Sequence, residues 1–474
     1  MKRTKFEIAV LCALIFMLPG CGREKSEGAR YEIVDGKVVE ITGEEKKDDV
    51  IFVPNEQQAP AQTEDEISVS AAQAGSSDVS YVTDGQAFST DEDYNSLTDD
   101  NSAMLEKLRT AMNAAADACR EVYASADKGT TMNVTLSRSA VAEMIGAIGS
   151  AGYSAVDNLG EFNMSAWETI DEFGKNAVLS RDNVNGIYFT VYTDGHLSGF
   201  NLAREAGVWH VYSMSAAWED DFSIRIYSEG RYAVGTVNYT DKGWLIYSRD
   251  TSDFDENQKA NTDSYVMLRV KPYDSELRAL CERYVSPIGY FENNLFITDW
   301  STANLGPVDF NSLYAALFGM YNGTQKLDSY NIRNYYRAVG GTRLYLVPTD
   351  TFEKTVSAYF SIDSATLKNI SDYSNKYGGY LFLGYDRDYY NVTPRTPKPE
   401  VIDCVYNSDG TITMTVDAVN PWYGTDRAFQ HVLTVRPGSS GFSYISNTLV
   451  QDEGNILPEQ KISAMLDVEK TKLS

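Results

Sequence analysis

From Leu105 the apolar residues Leu105, Leu108, Met112, Ala115, Cys119 and Val122 alternate steps of three and four, which predicts an amphipathic helix capped by Ser102 or a neighbouring Asp. Further helices are expected over 139–149 and over 165–174, the latter with Trp167, Ile170 and Phe173 on one face. The period then drops to two. Strand-like runs at 186–193, 197–203, 207–217, 222–227, 231–239 and 243–249 are separated by turn residues such as Thr193-Asp194-Gly195, Glu219-Asp220-Asp221 and Glu229-Gly230. After a polar stretch at 250–263 and a strand at 264–271 the scheme repeats. Asp274 opens a helix with Leu277, Leu280, Cys281 and Tyr284 on one stripe, and Asp309 caps another carrying Phe310, Leu313, Tyr314, Leu317 and Phe318. A third start is framed by Asp350 and Glu353, and four strands follow at 400–407, 411–419, 428–436 and 441–449.

Helices followed by meanders, without regular strand–helix alternation, predict an α+β fold of two modules, 101–271 and 272–455, with a polar tail at 456–474. By element order the second module resembles the NTF2-like or cystatin-like roll, in which a helix packs in a curved sheet.

The segment before these modules has a different character. Lys2, Arg3 and Lys5 precede IAVLCALIFML (8–18), eleven residues without a charge. That run is too short to cross a hydrocarbon core of about 30 Å, and it suits the apolar region of a signal peptide over 1–20. It ends in Leu18, Pro19, Gly20 and Cys21, which resemble the lipobox of bacterial lipoproteins; Pro19 departs from the small or aliphatic residue usual there. The resemblance implies a diacylglycerol thioether on Cys21 and attachment to the outer face of the cell membrane. Two acyl chains suffice for stable anchoring, at about 0.8 kcal/mol per buried CH₂.

Residues 21–100 read as the lipidated cysteine and an acidic tether. Asp48 to Glu106 carries fourteen acids and no Lys or Arg, too little aliphatic density to offset chain entropy. As a flexible coil the tether would span about 50 Å. One exception is YEIVDGKVVEI (31–41), alternating strand residues around Asp35-Gly36, a hairpin that needs a partner surface because two strands alone are marginal in water. Asp91-Glu92-Asp93 fails as a calcium loop, since Ser96 and Ser102 stand where glycine and glutamate are required.

The stretches YLVPTDTFEKTVSAYF (345–360) and VDAVNPWYGTDRAFQHVLTV (416–435), together with the lipobox, make the mature chain similar to uncharacterised lipoproteins of Gram-positive anaerobic bacteria. That resemblance implies no known activity.

The 474 residues carry 41 Lys and Arg against 67 Asp and Glu, a net charge of −26 that makes nucleic acid a poor partner. Candidate chemistry is sparse. Three histidines, His196, His210 and His431, are too scattered for a zinc cluster, and no cofactor is implied: Gly146-Ala147-Ile148-Gly149 is too short for a dinucleotide loop. Outside the leader and Cys21 the cysteines are Cys119, Cys281 and Cys404, an odd trio read as buried small hydrophobes, with a disulfide between two of them or a Cys404–His431 nucleophile pair as the alternatives. The carboxylates Glu219 and Asp221 could serve glycan hydrolysis if they met across a cleft. Among 32 tyrosines, Tyr385, Tyr389 and Tyr390 beside Arg387 form a candidate binding patch for a sugar ring or a protein. The reading these features favour is a lipid-anchored extracytoplasmic protein that binds an envelope glycan or protein without catalysis, with an envelope glycan hydrolase or a structural spacer as alternatives.

Overall fold

A computed structural model describes residues 30–34, 37–41, 99–129, 133–179, 183–252, 265–323, 335–339, 342–385, 396–439 and 441–460. The lipobox, Cys21 and most of the acidic segment lie outside the described residues. The hairpin forms as β1 (Arg30–Val34) and β2 (Lys37–Ile41). Further strands and helices follow in two α+β modules.

The first module opens with α1 (Asp99–Ser125) and α2 (Arg138–Ser150). Then come β3 (Ser154–Asp157), α3 (Glu168–Val178), β4 (Val184–Val191), β5 (Leu197–Glu205), β6 (Val208–Trp218), β7 (Ile224–Tyr239), β8 (Trp244–Arg249) and β9 (Tyr265–Arg269). The seven strands form one sheet in chain order. Both of its faces are covered. Leu108, Met112 and Cys119 of α1 meet Phe189, Leu197 and Met214 on one side, whereas Ile170 and Phe173 of α3 meet Tyr188, Leu202 and Tyr247 on the other. The period of two in β5 places Leu197 and Leu202 on opposite faces, so its first seven residues are all buried.

Two expectations fail here. Glu229-Gly230 is no turn: β7 runs straight through it, because β6 is long enough to supply ladder partners throughout, Met214 opposite Glu229 and Ser213 opposite Gly230. The Arg109 guanidinium on α1 also pairs with Glu229 at 2.6 Å. Nor is the sheet a pure meander, since β3 pairs parallel with β4 across the α3 crossover. SAVD is short and wholly buried, and so shows no alternation from which to read a strand.

The second module contains α4 (Ser275–Tyr284), β10 (Trp300–Ser301), α5 (Phe310–Asn322), β11 (Tyr335–Val339), β12 (Thr342–Pro348), α6 (Thr349–Ser357) and α7 (Ser364–Ile370). It continues with β13 (Tyr373–Ser374), β14 (Gly379–Tyr385), β15 (Lys398–Tyr406), β16 (Ile412–Asn420), β17 (Thr425–Pro437) and β18 (Phe442–Leu449). The expected caps are present: Asp274 accepts from Glu276 N and Leu277 N, and Asp309 accepts from Asn311 N and Ser312 N. The four expected strands plus β10 form an antiparallel sheet ordered β10-β18-β17-β16-β15.

A second antiparallel sheet, β11-β12-β14-β13, was not anticipated. One aromatic-rich core joins both sheets to the helices, with Phe352 stacked between Tyr314 at 4.6 Å and Tyr380 at 4.0 Å. Strand β2 of the N-terminal hairpin lies beside β12, which supplies the partner surface that an isolated hairpin lacks.

The modules meet along β8 and β9. Opposite the face bearing Leu245 and Tyr247, the side chains of Trp244, Ile246 and Met267 pack with Val419 at the end of β16. Tyr265 meets Trp422 edge to face at 5.1 Å. Lys242, in the β7–β8 turn, reaches across to Asp417 on β16.

Candidate binding cleft

Beside this junction a cleft of about 750 Å³ opens between loop 157–162, β9, α4, the C-terminal end of α5 and the first residues of β15. Small-ligand sites typically enclose roughly 300–1,000 Å³. The loop is shaped by Asp157, which is 2% exposed. Its carboxylate accepts from the backbone N–H groups of Leu159 (3.0 Å), Glu161 (2.9 Å) and Phe162 (2.9 Å). Gly160 at the loop tip has φ +69°, a region few side chains tolerate, and an added Cβ would stand 3.3 Å from Lys398 Nζ.

The loop is bolted to the second module through Arg278 of α4. Its two terminal nitrogens donate to Gly160 O at 2.6 Å and Asn163 Oδ1 at 2.5 Å. Asn163 in turn exchanges two hydrogen bonds with the backbone of Tyr273, whose hydroxyl donates to Val401 O at 2.9 Å.

Cations and aromatic rings alternate along this wall. Lys398 Nζ lies 5.6 Å from the Trp244 ring centroid, and Arg269 Cζ lies 5.8 Å from that ring and 5.9 Å from the ring of Tyr273. Arg278 Cζ lies 5.0 Å from Tyr273. Each contact falls within the reach of cation–π attraction. Glu400, 3% exposed, accepts from Trp244 Nε1 at 2.5 Å and from Arg269 at 3.2 Å. Arg269 also donates to Lys242 O, while its Nε is buried without a partner.

Burial lowers the pKa of both Lys398 and Arg278, against the opposing pull of nearby acids. Burial raises that of Glu161, whose rim carboxylate pairs with Arg138 at 3.1 Å. Cys281, donating its S–H to Pro399 O at 3.3 Å, is likewise raised by burial, so its thiol stays protonated and unreactive.

Of the residues singled out from the sequence as chemical candidates, Cys281 lines the cleft as a buried thiol, and the other candidates lie away from it or outside the described residues. Arg387, Tyr389 and Tyr390 lie outside the described residues, and Tyr385 ends β14 opposite Thr342. Glu219 and Asp221 sit at an exposed turn, each with its own partner: Arg225 at 2.5 Å for Glu219, and Ser223 N and Oγ at 3.0 and 2.6 Å for Asp221. Cys404 and His431 are two strands apart on β15 and β17, opposite Met414 and Val416 respectively. His431 is buried between Tyr290 and Asn447. All three described cysteines are free. Among the described residues no His, Cys, Asp or Glu group could hold a metal ion, and no helix is long and apolar enough to cross a membrane.

A sequence profile of a family of unknown function, DUF6070, matches residues 105–462. The chain belongs to that family. The DUF6070 match takes in both modules and every cleft residue named above. No curated protein and no solved structure matches the chain.

Proposed function

We propose that this DUF6070 protein is a lipid-anchored binding protein on the outer face of the cell membrane, and that its ligand occupies the cleft between the modules. The observation carrying the binding role is the cleft itself: a volume of about 750 Å³ walled by charged side chains on rigid elements of both modules. Enclosed volume with a few converging polar groups is the usual form of a small-ligand site. The lipobox at Leu18–Cys21 supports the location. The hydrolase alternative rested on Glu219 and Asp221, and each of these is engaged at a solvated turn.

Each half of the proposal has its own test. Replacing Cys21 with Ala should move the protein from the membrane fraction into the medium, and a variant that stays with the membrane refutes the anchor. For the cleft, thermal shifts of the full chain against envelope-derived fragments should vanish in Met320→Trp, which fills the α5 end of the cavity. Shifts that survive that substitution place the ligand elsewhere.

A further inference from the structure

We infer that the cleft takes an uncharged sugar, hydrogen-bonded by its paired ionic groups and laid against the bare face of α5; this rests on the cleft being the binding site. The first argument is charge balance. Among the described residues four carboxylates and three cations line the cavity, and Arg138 adds a fourth cation where it holds Glu161 at the rim. Each group already has its answer. Three backbone N–H groups engage Asp157, and Glu400 accepts from Trp244 and Arg269. Glu282 and Asp157 pull on Arg278, and Asp157 and Glu400 pull on Lys398.

An ion of either sign would therefore give up its hydration without meeting a net field of the opposite sign. To be held it would have to break a pair. A hydroxyl avoids both costs, because it donates and accepts at once. It sits between a carboxylate oxygen and a cationic N–H while both keep their partners. Ion-paired groups retain room for this, since a carboxylate offers about four acceptor sites and an ammonium several donors.

The second argument is shape. Ala316, Gly319, Met320 and Gly323 fall at offsets of 0, 3, 4 and 7 along α5 and its C-cap, and all four line the cavity. Only Met320 carries a side chain longer than a methyl group, and a Cβ added at Gly323 would meet nothing within 4 Å. The helix is thereby open to the C–H face of a ring, with Leu159, Phe162 and Pro287 completing the apolar lining. A wholly apolar ligand would take water from the ionic groups and return no hydrogen bond. A sugar ring has C–H groups on its faces and hydroxyls around its edge, which matches both parts of the lining.

The test is ligand-detected NMR titration of the full chain in detergent with five probes: glucose, N-acetylglucosamine, glucosamine, glucuronate and N-acetylalanine amide. The first two are neutral, and the next two place an ammonium or a carboxylate on the same ring. At least one neutral sugar should bind, about ten-fold or more tighter than glucosamine and glucuronate. Its affinity should change by less than about two-fold between roughly 50 and 300 mM NaCl, because screening acts on net charge. Ala316→Leu, which covers the bare stripe, should weaken it about five-fold or more, as should Met320→Trp. Should Ala316→Leu disturb the packing of α5, Met320→Trp carries that arm alone. A charged sugar that binds as tightly as its neutral counterpart, binding of the amide alone, or no binding of any probe overturns the inference. So does neutral-sugar binding that falls steeply with salt. Met320→Trp separates these failures from that of the site: a charged probe or the amide lost in that variant keeps the cleft and discards the uncharged sugar. A neutral sugar that still binds Met320→Trp discards the cleft.

Discussion

Lys242→Met tests the junction on which the cleft depends. The lysine projects from the β7–β8 turn, where Gly243 N donates to Thr240 O at 2.9 Å, and its ammonium reaches Asp417 in the middle of the other module's sheet. Asp417 is 1% exposed, and its remaining contact is Gln430 Nε2 at 2.8 Å. Methionine keeps the length of the side chain and removes the charge, leaving a buried carboxylate with one neutral donor. Removing one partner of a buried ion pair costs about 3–5 kcal/mol. The lysine side chain is 28% exposed, so water reaches the pair, and about 2–4 kcal/mol is the expected loss. Urea unfolding of Lys242→Met, Asp417→Asn and the double variant measures it. Asp417→Asn alone should cost less, because the lysine it strands can turn to solvent. The double variant should recover part of the Lys242→Met loss, giving a coupling of about 1–3 kcal/mol. Amide exchange at β8 and β16 should rise in Lys242→Met before it rises in α1. Additive single effects, or a Lys242→Met chain within about 0.5 kcal/mol of wild type, would refute the claim that this pair clamps the modules.

Two further expectations follow from other contacts. His431 is held neutral: Asn447 Nδ2 donates to Thr298 O, which turns Asn447 Oδ1 toward His431 Nδ1–H at 2.7 Å and leaves Nε2 to accept from Tyr290 OH at 3.0 Å. Burial pushes its pKa down to about 4, so between the unfolded value of about 6.5 and that point the unfolded chain takes up a proton the folded chain refuses. Stability should therefore fall by about 3 kcal/mol as pH drops from 6.5 to 4 through this residue alone, and His431→Gln should flatten the profile; parallel wild-type and variant profiles would disprove it. Gly424, at φ +62° just after the Pro421–Tyr423 turn, faces Asn238 so closely that an added Cβ would overlap its amide, whereas Gly410, at φ +82°, faces open space. Asn238 is exposed and its amide can swing aside, so Gly424→Ala and Gly410→Ala should lower the melting temperature by similar amounts through backbone strain; a clearly larger loss at Gly424 would show that Asn238 is held fast at the junction.

Much of the fold was legible because its helices and longer strands solve local problems. The alternating steps of three and four from Leu105 to Val122 lie within α1, and Asp274 and Asp309 cap the helices they were expected to cap. The failures come where tertiary pairing overrides a local sign. Gly230 looks like a turn residue until an eleven-residue β6 offers it a ladder partner. The β11-β12-β14-β13 sheet escaped notice for a related reason. In β12 both Tyr345 and Leu346 are buried, although they point to opposite faces, and the same holds for Tyr380 and Leu381 in β14. Strands buried on both faces lose the alternation that marks a strand, and β13 is only two residues long.

The cleft was illegible for a deeper reason than short length. Asp157, Arg278 and Lys398 are separated by more than a hundred positions from one to the next, and they converge because loop 157–162 is clamped to α4 while β15 runs beneath both. The candidates that stood out, Glu219 with Asp221 and Tyr385 with Tyr389 and Tyr390, stood out because they are neighbours in the chain. Neighbouring acids at a turn satisfy themselves locally, as Asp221 does with Ser223 and Glu219 with Arg225. A buried binding group must instead find its partner from another element, since its own segment is occupied with secondary structure. The one local trace of the cleft was an ionisable residue inside an apolar run: Arg269 closing YVMLR, and Glu400 within KPEVI. Ionisable side chains are seldom buried unless paired. An Arg and a Glu in separate apolar strands therefore constitute a request for a partner, and in this structure each answers the other at 3.2 Å across the module boundary.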